Sequence, residues 1–186
     1  MSVISLTAPI SREALLALRA GDRVSLSGVI YTARDAAHGR LCAALEKGEA
    51  LPVDLCNQTI FYAGPTPAPE GKPVGAIGPT TSSRMDAYTP ALLRYGVNAL
   101  IGKGGRNEAV CKALEECGAV YFAAIGGCAA YMSACIKQCD VVAYDDLGTE
   151  SIKRLVIENL PLTVACDAHG GNAYEDGMKT YLSGLE

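Results

Sequence analysis

The sequence predicts an α/β fold built on a parallel central sheet, and three observations carry that prediction. Short apolar runs recur from Val74 onward: Val74 to Ile77, Val97 to Ile101, Val120 to Ala124, Val141 to Tyr144 and Leu162 to Cys166. Helical patterns at Thr89–Tyr95, Asn107–Cys117 and Gly127–Gln138 separate the first four runs, as βα units require. The 186 residues fill one well-cored domain and would cramp a second, so residues 1–186 are read as a single domain. Strands covered on both faces read as unbroken apolar stretches, which is how these runs read.

Each earlier element has its own signal. Ser11 to Ala20 is a short helix, with Ser11 as cap, Leu15, Leu16 and Leu18 as its apolar face and Gly21-Asp22 as its stop. Arg23 to Thr32 alternates as a strand, with Val24, Leu26, Val29 and Ile30 against Ser25 and Ser27. Arg34 to Glu49 is helical, turning Leu41, Cys42 and Leu45 inward before Gly48 closes it. Thr59 to Tyr62 is a short apolar strand, and the proline-rich stretch from Gly64 to Pro73 is loop. The first 70 or so residues are expected to supply a second layer, mixed or antiparallel, within the same domain.

Composition excludes several classes. Half the chain is apolar (49%) and only 19% is charged, which argues against disorder. No apolar run approaches the roughly 18 residues of a membrane span. A net charge of −4 and a pI of 5.2 argue against a nucleic-acid surface. The opening residues MSVISLTAPISREALL lack the charged-then-apolar order of a secretory signal, so a reducing cytoplasm is the expected setting.

Eight cysteines are unusual for such a chain. They stand at 42, 56, 111, 117, 128, 135, 139 and 166, with no Cys-x-x-Cys, so a metal cluster held by this chain alone is not expected. Val110, Cys111, Leu114 and Cys117 share one helical face, and Met132, Cys135, Ile136 and Cys139 repeat the spacing. Cysteine packs as a small buried hydrophobe, and that is the reading adopted for this set. The pairs Cys135/Cys139 and His38/Cys42 have metal-like spacing but no further ligands to complete a site.

Open α/β sheets bind ligands at the carboxyl ends of their strands, so the loops after the apolar runs carry the chemistry. Gly78-Pro79-Thr80-Thr81-Ser82-Ser83-Arg84-Met85-Asp86 gathers four hydroxyls and an arginine. Gly102-Lys103-Gly104-Gly105-Arg106-Asn107 again joins glycines to cations, but fits neither a Walker loop nor Gly-x-Gly-x-x-Gly. The strand ending near Thr32 leads into Arg34-Asp35-Ala36-Ala37-His38. Three loops that each place a cation past a strand suit a small anion such as a dicarboxylate. The two histidines, His38 and His169, and the pair Asp145-Asp146 complete the candidates for proton transfer.

Taken together these motifs resemble the β subunit of class I fumarate hydratases and L-tartrate dehydratases, iron–sulfur hydro-lyases. The resemblance lies in Phe61-Tyr62-Ala63-Gly64-Pro65 with the loop Gly78 to Asp86. It continues in Thr32 to His38, Ile101-Gly102-Lys103-Gly104, Asp146 to Glu150 and Val164-Ala165-Cys166-Asp167, in order along nearly the whole chain. It implies a three-layer β/β/α swivelling fold. It also implies a partner α subunit whose cysteines hold a 4Fe-4S cluster with one iron open to substrate, the β part closing the pocket. An α2β2 assembly of αβ units is the expectation. The resemblance further implies that Arg34, Arg84 and Lys103 grip substrate carboxylates and that Thr80, with Lys103, serves catalysis at the carbon that loses its proton. Asp35 and His38 would orient Arg34, and Asp86 would do the same for Arg84.

Such a reaction withdraws water from a 2-hydroxydicarboxylate, so charge develops on a carboxylate where bidentate arginine and lysine stabilise it. Two other readings compete: a stand-alone anion-binding or regulatory module, and a self-contained enzyme using His38 and Asp35.

Overall fold

The computed structural model describes residues 2–184. Along the chain run β1 (Val3–Ala8), α1 (Arg12–Ala17), β2 (Arg23–Thr32), α2 (Asp35–Glu46), β3 (Thr59–Phe61), α3 (Thr89–Tyr95) and β4 (Ala99–Gly102). There follow α4 (Glu108–Cys117), β5 (Val120–Ala123), α5 (Ala129–Ala134), β6 (Ile136–Ala143), β7 (Ile152–Cys166) and α6 (Ala173–Ser183). A 3₁₀ turn stands at Ser82–Met85, and two more, kinked at Gly148, fill Asp145–Glu150.

The α/β class is as expected, but the plainly parallel central sheet is not. One sheet runs β1-β2-β3-β4-β5-β7-β6, and an additional β2–β7 pairing closes β2, β3, β4, β5 and β7 into a mixed five-stranded barrel. β2 to β5 are mutually parallel, whereas β7 is antiparallel to both β5 and β2. β1 extends the barrel wall parallel to β2, and β6 extends it antiparallel to β7. The first 70 residues therefore form no separate layer.

Other boundaries shift for identifiable reasons. Val74 to Ile77 forms no strand. It plugs the core with Val74 and Ile77 while Gly75 and Ala76 exchange backbone bonds with Thr66 in the proline-rich loop. The helix expected over Gly127–Gln138 ends at Ala134, and Ile136 onward becomes β6. Leu162 to Cys166 is only the end of a 15-residue strand.

Two apolar cores explain the sequence patterns. Val24, Leu26 and Ile30 of β2 join Phe61, Ile101, Phe122, Leu155 and Leu160 in one cluster that all five barrel strands feed. Ile60, Tyr62, Leu100 and Tyr121 point the other way, onto Leu41 of α2, Leu92 of α3 and Leu114 of α4. Strands β3 to β5 are thus buried on both faces, hence their unbroken apolar runs. Helix ends are sealed locally: Asn107 accepts the Val110 N–H at 2.9 Å to cap α4, and Gly118 ends it in the left-handed region (φ 65°).

The cysteines mostly pack. Cys42, Cys135 and Cys166 are buried, Cys111, Cys117, Cys128 and Cys139 are half-buried, and Cys56 is exposed; all eight are free thiols. Burial pushes the Cys166 thiol up to about 12 and raises Cys42, Cys111, Cys117, Cys135 and Cys139 as well. Cys135 and Cys139 do not share a helical face, since Cys135 caps α5 and Cys139 lies in β6. Among the described residues no helix is long and apolar enough to cross a membrane.

Candidate functional site

The parallel register brings three strand ends to one rim of the barrel. Thr32 pairs with Phe61, and Phe61 with Ile101, so β2, β3 and β4 end side by side. Thr32 also lies opposite Lys153, which places the start of β7 on the same rim. The loops bearing Arg34 and Lys103 leave from these ends, and the loop bearing Arg84 returns to them.

The hydroxyl-rich loop lies across the ends of β3 and β4. The Thr80 N–H donates to the Tyr62 carbonyl at 2.6 Å, and the Ser82 N–H donates to the Lys103 carbonyl at 2.9 Å. Isolated bridges join Ala63 to Pro79 and Thr81 to Lys103. Thr80 and Lys103 are thereby held next to each other. Gly102 permits the approach, because a Cβ there would meet the Ser82 Oγ at 2.0 Å and Tyr62 at 2.9 Å. The Lys103 side chain crosses Gly126, with Nζ 3.8 Å from where a Cβ would stand.

Arg34 occupies the N-cap of α2 with an extended backbone and makes no cap bond with its own side chain. Its guanidinium lies against Gly64, where a Cβ would stand 2.9 Å from Nη1. Its Nη2 faces Glu150 Oε1 at 3.5 Å. Arg84, on the 3₁₀ turn Ser82–Met85, is paired with Asp35. Asp35 thus holds Arg84 rather than Arg34, because as first residue of α2 it points across to the hydroxyl loop.

His38 is fully buried on α2. Its Nδ1 lies 2.9 Å from the Arg34 carbonyl, which can only accept, so Nδ1 carries the proton. The ring packs edge-on against Tyr62 at 5.2 Å. Burial drives its pKa down to about 4, so the imidazole is neutral near pH 7. His38 therefore touches the Arg34 backbone and not its guanidinium. His38 Nε2, Arg34 Nε and Asp35 Oδ1 are all buried without a partner.

Asp86 was expected beside Arg84 and is found elsewhere. Its carboxylate accepts from Arg106 Nε at 2.8 Å and from the Asn107 N–H at 2.9 Å. Arg106 also donates to Thr89 Oγ1 at 2.8 Å and Tyr62 OH at 3.3 Å, with its guanidinium over the Tyr62 and Tyr121 rings. The turn after Met85 directs Asp86 inward, so this pair joins α3 and α4 to the barrel wall. His169 sits past the far end of β7 with Nε2 2.8 Å from the Leu16 carbonyl, away from the rim. Asp146 forms a bidentate pair with Arg40 at 2.9 and 2.5 Å on the surface.

Two rim residues had no role in the sequence reading. Glu150 lies in the turn before β7, and Lys153 directs Nζ at that turn from within β7. Glu150 stood inside a recognised motif, but nothing linked it to Arg34, which precedes it by more than a hundred residues. Lys153, beside Arg154 in an otherwise apolar stretch, carries no signal by itself.

A mixed barrel with Arg34, Arg84, Lys103 and a hydroxyl-rich loop on one rim defines the class, an α/β domain with a cationic rim. The model of the family described as "Fumarase C-terminus" matches residues 1–177, and the chain belongs to that family. It is 40% identical over 168 residues to a Methanocaldococcus jannaschii protein assigned as L(+)-tartrate dehydratase subunit beta, covering 87% of this chain and 86% of that one. It is 37% identical over 155 residues to fumarate hydratase 1, mitochondrial, of Leishmania major, covering 82% of this chain and 28% of the relative. The class I anaerobic fumarate hydratase of Escherichia coli K12 gives the same identity over 155 residues, with the same 82% and 28% covered. The chain therefore spans less than a third of these two longer enzymes.

Proposed function

We propose that residues 1–186 act as one domain, the β subunit of an iron–sulfur-dependent hydro-lyase that reversibly dehydrates a 2-hydroxydicarboxylate of the malate or tartrate type. The observation that carries this reading is the gathering of Arg34, Arg84, Lys103 and Thr80 on one barrel rim. Family membership and the relatives' names support the reaction class.

In this reading Arg34 and Arg84 bind substrate carboxylates, with Asp35 fixing the direction of the Arg84 fork. Lys103 stabilises the charge that develops on a carboxylate as the neighbouring carbon loses its proton, where a preorganised cation helps the transition state more than the ground state. Thr80, held beside Lys103, stands at that carbon; a hydroxyl there takes part in proton transfer only when a neighbouring cation lowers its pKa. Neutral His38 steadies the start of α2 through the Arg34 carbonyl.

The cluster itself does not fit this chain. Among the described residues no three His, Cys, Asp or Glu side chains converge as ligands, and the thiols divide between the core and the surface. We assign the 4Fe-4S cluster to a partner α subunit, in α2β2 or an equivalent pairing of αβ units. Eight free thiols suit a reducing cytoplasm.

The test is anaerobic co-expression with an α-type chain and assay of malate, fumarate and both tartrate isomers. Activity that requires both chains is the expected result. Dehydration of a 2-hydroxy acid by this chain alone, free of cluster, would refute the proposal.

A further inference from the structure

We infer that Glu150 is the positioning residue for Arg34, its carboxylate fixing the guanidinium in the direction that receives a substrate carboxylate. This rests on the reading of Arg34 given above and assigns the group that makes it selective for one orientation.

The geometry begins one turn away, at Lys153. This lysine is nearly buried, 9% exposed, yet its ammonium meets only uncharged oxygens: the Gly148 carbonyl at 2.8 Å, the Thr149 carbonyl at 3.4 Å and Ser151 Oγ at 2.5 Å. The Ser151 hydroxyl closes the same turn on the Gly148 carbonyl at 2.7 Å. A cation withdrawn from water onto three oxygens of one turn pins that turn to β7. What the turn then presents to the rim is the Thr149 carbonyl and the Glu150 carboxylate.

The two oxygens of Glu150 are divided. Oε2 accepts the Ala36 N–H at 3.1 Å, in the first turn of α2, which lacks a side-chain cap of its own. Oε1 faces Arg34 Nη2 at 3.5 Å. The helix terminus anchors one oxygen, which leaves the other directed at Arg34. On the opposite side Gly64 closes the slot, since a Cβ there would stand 2.9 Å from Arg34 Nη1 and 3.0 Å from the Thr149 carbonyl. Arg34 is thus held between Gly64 and a clamped turn, with Nε buried and unpartnered.

A helix cap alone would explain the bond to Ala36 but not the oxygen turned to Arg34. Glu150→Gln separates the two roles: the amide oxygen still caps α2, while the charge facing Arg34 is lost. In the assembled holoenzyme, binding of succinate is measured by calorimetry, alongside kcat, KM and thermal unfolding. Glu150→Gln is expected to raise the succinate Kd and the substrate KM about tenfold, with kcat falling less than about threefold. Its Tm is expected to stay within about 2 °C of the parent. Arg34→Lys, which loses the bidentate fork, is the reference and is expected to weaken succinate at least about tenfold. If Arg34→Lys weakens succinate and Glu150→Gln does not, the role of Glu150 is refuted while the proposed function stands. A lowered Tm with unchanged KM in Glu150→Gln would make it a cap only, which also refutes the inference. If neither variant weakens succinate, the reading of Arg34 itself fails.

Discussion

Replacing Asp86 with alanine tests where the site ends and the scaffold begins. Asp86 is 8% exposed and the Arg106 side chain it faces is wholly buried, so the substitution strands a guanidinium in the core. Thr89 and Tyr62 still accept from it and two tyrosine faces still lie against it, but no anion remains. Breaking one side of a buried pair costs about 3–5 kcal/mol. The Asn107 N–H loses its acceptor as well, at about 1 kcal/mol or more. A domain typically holds only about 5–15 kcal/mol in all, so this loss is severe. The sequence contains no tryptophan, and urea unfolding followed by far-ultraviolet circular dichroism is the direct assay. Asp86→Ala with Arg106→Met should recover at least about half of the loss, because a packed apolar side chain replaces the stranded charge. A single-variant cost below about 1 kcal/mol, or a double variant as unstable as the two losses summed, would refute this account of the pair.

Four further outcomes follow from named contacts. His38 has a folded pKa near 4 against an ordinary 6.5, so the unfolded chain takes the proton first and stability falls as pH drops from 6.5 towards 4. The loss reaches roughly 3 kcal/mol at the lower end, and the same slope in a His38→Gln variant, read from urea midpoints, would show that another group is responsible. Gly102→Ala drives a methyl into Ser82 and Tyr62, which should cost about 1–3 kcal/mol in thermal or urea unfolding; parental stability would mean the loop does not press on β4 as described. Arg84→Lys should lower kcat/KM of the assembled enzyme at least about tenfold, and parental kinetics would remove Arg84 from the site. Cys135→Ala should leave the iron content of the complex unchanged and cost about 1 kcal/mol of stability; lost iron would overturn the packing role of that thiol.

The sequence made the middle of the fold legible and its closure illegible. Strands β3 to β5 are covered on both faces, so their apolar runs and intervening helices are plain in the residues. β7 is harder to see because Glu158, Asn159 and Pro161 interrupt it where it is exposed, and only its last five residues read as strand. α6 passes unnoticed because none of its residues is buried. Arg34 and Lys103 were legible because each follows a strand, and Arg84 because its loop is rich in hydroxyls. Their partners were not, since Asp35 meets Arg84 and Glu150 meets Arg34 only through the barrel's register. Asp86 was misplaced for the opposite reason: adjacency in sequence suggested Arg84, while the turn delivers it to Arg106.

Closure of the barrel also has a consequence for how the protein is made. The Lys153 N–H donates to the Thr32 hydroxyl across a separation of 121 residues, and the β2–β7 ladder extends from that contact to Arg23 and Thr163. At ordinary translation speeds, β2 leaves the ribosome on the order of ten seconds before the strand that completes it. Throughout that interval one edge of β2 is unpaired, and such an edge is what holding chaperones recognise and aggregates recruit. The turn bearing Glu150 arrives with β7, so the slot for Arg34 is among the last parts of the molecule to exist.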